Sequence, residues 1–145
     1  MKENRAKEEA LVIKAQKRMS IGTAYFYTNQ IICFEFDDDI FTGIAEVKEL
    51  ANTAKELTGG VVPVLSLVVT GQRNNISTEA FAFDVHKELG IKQITIAEAV
   101  VIKNLATRIM ANFYYKVTKR EFPVKVFDTK EEAIKWLLSN NFTEQ

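Results

Sequence analysis

Apolar and polar residues alternate over residues 23–36, which is the period of a half-buried β-strand. Ala24 and Phe26 alternate with other residues in the first run. The second run carries Ile32, Phe34 and Phe36 in the same alternation. The residues Thr-Asn-Gln between the runs supply turn chemistry. The pattern therefore predicts a β-hairpin, which three consecutive aspartates at 37–39 close.

A helical period follows the aspartates and predicts a helix over about residues 43–57. Apolar residues recur three and four positions apart on one face, and polar or charged residues lie on the other. The apolar face consists of Ile44, Val47, Leu50, Ala51, Ala54 and Leu57. Thr42 is the expected N-cap, and Gly59 with Gly60 is expected to end the helix in the left-handed conformation.

Two runs, 61–69 and 94–102, are apolar at almost every position and have the length of strands. Strands buried on both faces have this composition, so both runs are expected to be central parallel strands with helices on each side. Pro63 is expected at the start of its strand, where no ladder donor is needed.

Three further helices and one short strand complete the pattern. The first of these helices is expected over 77–89, and the short strand at 123–127. A helix over 104–117 carries an apolar stripe that is expected to cover one face. The stripe consists of Leu105, Ala106, Ile109, Met110, Phe113 and Val117. The last helix opens with the capping-box spacing of Thr129 and Glu132.

The predicted order of elements is ββαβαβαβα. Because crossovers between parallel strands are right-handed, strands two to five are expected to form a parallel series, with the first strand antiparallel at an edge. Residues 21–140 are therefore expected to form one α/β domain, with a mostly parallel five-stranded sheet covered by about four helices. Residues 1–20, rich in Lys and Glu, are expected to form a helical arm, and 141–145 a tail.

Composition excludes several classes of function. Nineteen basic residues balance nineteen acidic ones, which argues against nucleic-acid binding by bulk charge. No apolar run approaches the ~20 residues of a membrane-spanning helix, and the mixed-charge start of the chain does not resemble a signal peptide. Cys33 is the single cysteine, so no internal disulfide is possible. These features favour a cytoplasmic protein.

The C-terminal third has a more specific pattern. Over 99–137, a strand leads to a helix with a basic residue and an asparagine, then to a Pro–strand–Phe segment and a helix ending in Ala-x-x-Trp-Leu. These residues are Arg108, Asn112, Pro123, Phe127, Ala133, Trp136 and Leu137. The pattern is similar to small, mostly uncharacterised bacterial proteins with a STAS/SEC14-like fold. The element order likewise resembles the STAS domain of anti-sigma-factor antagonists. The resemblance covers about residues 23–139 and implies a STAS-like α/β fold.

Ser77 and Thr78 stand where STAS domains carry the phosphoacceptor motif Asp-Ser-Ser/Thr-Gly, at the start of the second helix. Ile76 and Glu79 replace the Asp and the Gly of that motif. Two interpretations of the hydroxyls remain. One is a helix cap, in which a side-chain oxygen accepts a hydrogen bond from a free helix N–H. The other is phosphorylation, which the helix N–H groups would favour and Glu79 would oppose.

Ligands of parallel sheets bind beyond the carboxyl ends of the strands, and three polar segments are expected to converge there. The candidate ligand or partner residues are Asp37, Asp39, Gln72, Arg73, Asn74, Asn75, Lys103 and Asn104. A solvated loop end is the competing interpretation. The three consecutive aspartates lack the spacing of a calcium loop, and no other motif indicates a metal or cofactor.

Phe83 lies opposite the inward face of the predicted 77–89 helix, beside the hydroxyl loop. An exposed phenylalanine there would contribute to a homodimer or partner surface, whereas a covering element would make it structural. His86, the single histidine, has no Ser or Cys near it in sequence that it could activate as a base. No motif of nucleophilic catalysis or zinc binding is present.

The expected function is therefore a non-enzymatic protein-interaction or regulatory module. The resemblance implies that docking would use the segment from Arg73 to Leu89, as in STAS relatives. The alternative, which the SEC14-like relatives imply, is a carrier of an apolar small molecule or lipid in a pocket between the helices.

Overall fold

The computed structural model describes residues 11–118 and 120–139. The strands of this part are β1 (Ile13–Arg18), β2 (Gly22–Tyr27), β3 (Ile31–Phe36), β4 (Phe41–Thr42), β5 (Val64–Val69), β6 (Asn75–Ile76), β7 (Thr95–Val101) and β8 (Val124–Phe127). Its helices are α1 (Ile44–Thr58), α2 (Thr78–Ala82), α3 (Val85–Leu89), α4 (Leu105–Val117) and α5 (Lys130–Ser139).

The main sheet has six strands in the order β1-β2-β3-β5-β7-β8. The first three strands pair antiparallel, and β3, β5, β7 and β8 pair parallel. The predicted class, an α/β fold with a mostly parallel sheet, is confirmed. The predicted count of five strands is wrong by one, because β1 adds an edge strand beyond the hairpin. A separate two-stranded pair joins β4 to β6.

The helical arm predicted for residues 1–20 is wrong for its second part. Residues 13–18 form β1, which pairs with β2 through the backbone. Most of its side chains are exposed, so the strand has no apolar face that a sequence pattern could reveal. The rest of the predicted arm, residues 1–10, and the tail predicted for 141–145 lie outside the described residues.

Two packed layers cover the two faces of the sheet. On one face, buried residues of the central strands pack against Ala133, Ile134 and Leu137 of α5. Cys33, the single cysteine, belongs to this layer and is fully buried. On the other face, α1 packs against the hairpin, and α4 packs against β8 and α2.

Helix α1 closely follows its prediction. It spans Ile44–Thr58 and ends at Gly59, whose φ of 81° is left-handed. The N-cap differs, because Thr42 belongs to β4 and Gly43 takes the cap position. The backbone N–H of Gly43 donates to the Glu46 carboxylate at 2.8 Å, which satisfies one of the donors at this helix end.

The helix predicted over 77–89 is interrupted. Phe83 is extended (φ −74°, ψ 118°) and separates α2 from α3. The Asp84 carboxylate then accepts a hydrogen bond from the Lys87 N–H at 3.2 Å and caps the second helix. A capping residue inside an apparent helical run is therefore what divides it.

The apolar stripe predicted for α4 is mostly exposed. Its large exposed members are Leu105, Ile109, Phe113 and Val117, between 60% and 64% exposed. Met110 is the exception: it packs inward against β7 and β8 with Ala111, Tyr114 and Tyr115. The Phe81 ring fixes this orientation by stacking on Tyr114, with 5.6 Å between ring centroids, and by an edge contact with Tyr115. Among the described residues, no helix is both long and apolar enough to cross a membrane.

Candidate functional site

Two of the three predicted polar segments meet at the ends of β3 and β5. The backbone N–H of Gln72 donates to the Asp38 carboxylate at 2.7 Å, and the Asn74 amide donates to the Asp37 carbonyl at 2.9 Å. Arg73 forms a two-point ion pair with Asp39. These groups hold the two loops to each other, which favours a structural role for the segment.

Two carboxylates of this loop cluster, those of Asp37 and Asp39, pair with arginines. Hydrogen bonds from Arg18 hold the pKa of Asp37 below its usual range, and those from Arg73 do the same for Asp39. Both pairs are solvent-exposed, so each adds little to stability.

The third predicted segment does not join the loop cluster. The Asn104 side chain caps α4 by accepting from the Thr107 N–H at 2.9 Å. Lys103 is exposed, and within residues 11–118 and 120–139 no hydrogen bond or ion pair links it to the loops. Asn75 begins β6, pairs through its backbone with Phe41, and is exposed. The described part of the chain also contains no group of three acidic, His or Cys side chains that could hold a metal.

Ser77 acts as the N-cap of α2. Its hydroxyl oxygen accepts a hydrogen bond from the Ala80 N–H at 3.1 Å, while Thr78 is exposed in the first turn. This geometry supports the capping interpretation. Phosphorylation of either hydroxyl stays an untested hypothesis.

Substitutions of Ser77 and Thr78 distinguish a hydroxyl that caps the helix from one that makes no stabilising contact. Ser77→Ala is expected to lower the free energy of unfolding by about 1 kcal/mol, because the cap hydrogen bond is lost. Ser77→Asp should retain most of the stability, since Asp is an equally good cap. Thr78→Ala is the control and should change stability by less than about 0.5 kcal/mol. Urea denaturation measures all three, and equal losses at both positions would contradict the cap.

Phe83 does not occupy the outward position that the continuous helix predicted. Because the helix breaks there, its ring is half-buried and turns toward α1, where the Lys48 ammonium lies 5.6 Å from the ring centroid. Phe83 lines a partly open cavity together with His86. The homodimer role predicted for Phe83 is therefore not supported by its position.

The cavity lies between the sheet and the helices α1, α2 and α3, and has a volume of about 520 Å³. Its walls are mostly apolar. The apolar lining includes Ile32, Phe34, Phe36, Val47, Leu50, Ala51, Val64, Val68, Ile76 and Phe81. A pocket of about 300–1,000 Å³ with apolar walls and a few polar groups is the usual form of a small-molecule site.

Polar groups gather at one part of this cavity. Ser66 of β5 donates from its hydroxyl to the Glu98 carboxylate of β7 at 3.0 Å. Arg120 and Tyr115 also line this part, and the guanidinium carbon lies 5.5 Å from the Tyr115 ring centroid. The cavity therefore combines an apolar body with a polar patch of four side chains, which we call the Glu98 cluster: Ser66, Glu98, Tyr115 and Arg120.

Unpartnered buried polar atoms concentrate at the same cavity. Of the five such side-chain atoms among the described residues, three belong to cavity-lining residues: Thr42 Oγ1, His86 Nδ1 and Arg120 Nε. Most buried polar atoms in proteins find a partner, so each exception requires an explanation. The atoms themselves have almost no accessible surface, so a molecule in the cavity would reach them only if the wall moved.

Sequence comparison places the chain in a family. The model of a domain of unknown function, DUF7793, matches residues 25–141. The chain belongs to the DUF7793 family. No curated protein matches it in sequence.

Structure comparison supports the fold expected for this member of the DUF7793 family. It is similar to the crystal structure of an uncharacterised protein of the DUF3478 family from Shewanella loihica PV-4, which has a SpoIIAA-like fold. The TM-score is 0.51 at 16% identity, over 87% of this chain and 92% of the other. The STAS-like prediction is thereby confirmed at the level of the fold.

Burial raises the pKa of two groups, Glu98 and Tyr115, in this DUF7793 chain. It raises the pKa of the Glu98 carboxyl, while the Ser66 hydrogen bond and the Arg120 charge oppose the shift. Burial also raises the pKa of the Tyr115 hydroxyl, and the Glu98 charge adds to that shift. A carboxyl that resists ionisation is typical of a site enclosed by protein.

The raised pKa of Glu98 predicts how stability depends on pH. The folded state keeps the Glu98 proton to a higher pH than the unfolded chain, whose Glu pKa is about 4.3. Stability from this group is therefore present below about pH 4.3 and is lost as pH rises through the folded-state pKa. Glu98→Gln should remove that loss and be more stable than the wild type at neutral pH. Urea denaturation from pH 4 to 8 measures it, and parallel profiles for both proteins would contradict the expectation.

The sequence contained a signal for this cluster that its motifs did not reveal. Ser66 and Glu98 are the polar interruptions of the two apolar runs that form β5 and β7, and the two residues are paired in register. A polar residue in each of two neighbouring buried strands indicates that the pair faces an internal polar site.

Proposed function

We propose that the protein binds a small, largely apolar molecule in the cavity beneath α1, α2 and α3, without catalysing its conversion. The observation that carries the proposal is the cavity itself, about 520 Å³ in volume and mostly apolar in its walls. This volume suits a compact small molecule rather than a few water molecules.

The distribution of polar atoms further supports binding. The Glu98 cluster places polar groups at one part of a mostly apolar wall, which is the usual composition of a small-molecule site. The Glu98 carboxyl is hydrogen-bonded to Ser66, an arrangement suited to orienting a ligand's polar end. We assign the Glu98 cluster to binding and not to chemistry.

A direct titration tests the proposal. A neutral dye whose fluorescence rises in apolar surroundings, N-phenyl-1-naphthylamine, should bind saturably at about one molecule per chain. Adding 1-decanol should displace it. A linear, unsaturable rise in fluorescence, or saturation that decanol does not reverse, would contradict a single internal site.

A second candidate function is interaction with a second copy of the chain, which the exposed stripe of α4 favours. Its members, Leu105, Ile109, Phe113 and Val117, are spaced four residues apart and form one row about 18 Å long. If two such helices pair antiparallel about their centre, Leu105 faces Val117 of the second copy and Ile109 faces Phe113 of the second copy. In this register the two basic residues of α4 do not face each other: Lys116 lies opposite Ala106, and Arg108 opposite Tyr114.

Sedimentation velocity measures whether this surface pairs. The wild type is expected to show a concentration-dependent dimer, and Ile109→Lys should shift it to monomer because a charge would enter the centre of an apolar seam. Asn52→Lys, which adds the same charge on the exposed face of α1, is the control and should leave the distribution unchanged. A wild type that stays monomeric at high concentration would contradict the dimer.

A further inference from the structure

Arg120 is the cation of the Glu98 cluster, and its contacts describe one side of the cavity in detail. It lies between α4 and β8 and lines the cavity together with Glu98 and Tyr115. One terminal nitrogen, Nη2, donates to the Phe81 carbonyl at 2.8 Å. Its guanidinium also lies over the Tyr115 ring, 5.5 Å from the centroid. Two contacts from different helices therefore fix the plane of the guanidinium.

In the described part of the chain, this guanidinium makes no hydrogen bond other than the one from Nη2. Nε is buried and has no hydrogen-bond partner in the described part of the chain. Arginine has five N–H donors and stays charged inside proteins, so it cannot relieve this cost by losing a proton. A buried N–H that lacks an acceptor is costly, and more so when it carries charge.

No carboxylate of the described residues compensates Arg120 at close range. In this part of the chain the arginines that form ion pairs are Arg18, Arg73 and Arg108. Arg120 forms none, so Glu98 and Glu121 both lie beyond ion-pair distance of Arg120. Glu98 is held instead by the Ser66 hydroxyl on the neighbouring strand. Every other arginine described forms an ion pair with an aspartate, which makes the isolation of Arg120 specific to the cavity.

We propose that the cavity's ligand is an amphipathic monocarboxylate, whose carboxylate binds Arg120 and whose aliphatic body occupies the apolar part beneath α1. The proposal rests on the proposed ligand-binding function and names the ligand's chemical class. A carboxylate matches the planar fork of a guanidinium and accepts from its terminal N–H groups. Nη1 is the donor that the ligand would reach, because within the described residues it is neither hydrogen-bonded nor buried.

The composition of the cavity favours one negative charge over two. Asp84, Glu98 and Glu121 also line it, as do Lys55, Lys87 and Lys92. All of these except Glu98 are exposed, so among the described residues the less exposed part of the cavity holds one cation, Arg120, beside one acidic side chain. A monocarboxylate needs one cation only. The apolar lining from β3 and α1, including Phe34, accommodates an unbranched alkyl chain by burial alone.

A matched pair of probes tests the proposal on the full chain. Decanoate and 1-decanol have the same chain length and differ in the charge of the head group. Isothermal titration at pH 7.5 should give a dissociation constant at least about tenfold lower for decanoate, since charge-assisted hydrogen bonds are the stronger kind. Arg120→Gln should remove this preference while leaving decanol binding within about twofold of wild type.

Two further variants complete the design. Arg120→Lys keeps the charge but loses the planar fork, so it should retain part of the preference. Arg73→Gln removes an exposed arginine outside the cavity and should retain all of it. The wild-type comparison requires no variant and stands even if Arg120→Gln fails to fold.

The outcomes separate the two proposals. If decanol and decanoate bind equally, or if the preference persists in Arg120→Gln, the carboxylate assignment is overturned and the apolar cavity function stands. If neither probe binds the wild type, both proposals are overturned.

Discussion

Ala51→Phe is expected to abolish binding of apolar ligands while changing the free energy of unfolding by no more than about 1 kcal/mol. Ala51 lies on α1 and lines the cavity, so the larger ring would enter existing space and not displace packed atoms. Filling a cavity adds buried apolar area, which offsets the cost of local adjustment. The dye titration should lose its saturable phase.

Ala99→Phe is the matched control, because the same atoms are added on the opposite face of the sheet. Ala99 has no exposed surface and packs in the layer beneath α5. Overpacking there should lower the free energy of unfolding by at least about 2 kcal/mol. Urea denaturation compares the two variants. If Ala51→Phe is as destabilising as Ala99→Phe, or still binds the dye, the cavity is not the binding site.

Gly71→Ala is expected to lower the free energy of unfolding by about 3 kcal/mol, through overpacking of main chain against main chain. A Cβ at this position would lie 2.4 Å from the Asp37 carbonyl oxygen. That carbonyl cannot withdraw freely, because it accepts the Asn74 amide and the Asp37 N–H donates to Ile21. The substitution should therefore separate the two loops that close this end of the sheet.

Gly43→Ala provides the comparison for Gly71→Ala. Its Cβ would meet side-chain atoms of Phe41 and Glu46 at 3.2–3.3 Å, and Phe41 is exposed and free to move aside. The expected cost is about 1 kcal/mol or less, mainly from the less favourable cap residue. Guanidinium denaturation of both variants measures the difference, and equal stabilities would refute the role of close backbone approach at Gly71.

Strong local patterns predicted the fold well. Helix α1 and the central strands β5 and β7 appeared close to their expected bounds, because long periodic or continuous apolar runs specify both element and burial. Strand β1 could not be found this way. Its side chains are mostly exposed, and what defines it is backbone pairing with β2, which leaves no period in the sequence.

Helix α4 illustrates a different limit of sequence patterns. Its sequence has two apolar stripes, one aliphatic with Phe113 and one rich in tyrosine, and periodicity cannot rank two stripes of similar strength. The tyrosine stripe faces inward because Phe81 offers Tyr114 a stacked contact and Tyr115 an edge contact. That contact is long-range, so only the fold determines which stripe remains exposed.

The candidate site was predicted in part. The convergence of loops 37–39 and 72–74 followed from the rule that carboxyl ends of parallel strands meet, although their side chains satisfy one another. No residue pattern predicted the cavity, since it depends on how far α1 and α2 stand from the sheet; only the resemblance to SEC14-like proteins implied a pocket, and it placed that pocket between the helices. Arg120 could not be identified from the sequence, because what distinguishes it is a buried Nε without a hydrogen-bond partner among the described residues.

The most direct test of the ligand-binding account is an amide NMR titration of the ¹⁵N-labelled protein with 1-decanol. We expect saturable shift changes at the amides of Ser66, Phe83 and Glu98, which surround the cavity, and unchanged signals from Ala133 and Leu137 of α5, on the opposite face of the sheet. Changes confined to the exposed stripe of α4, or no saturable change at any amide, would contradict an internal ligand site.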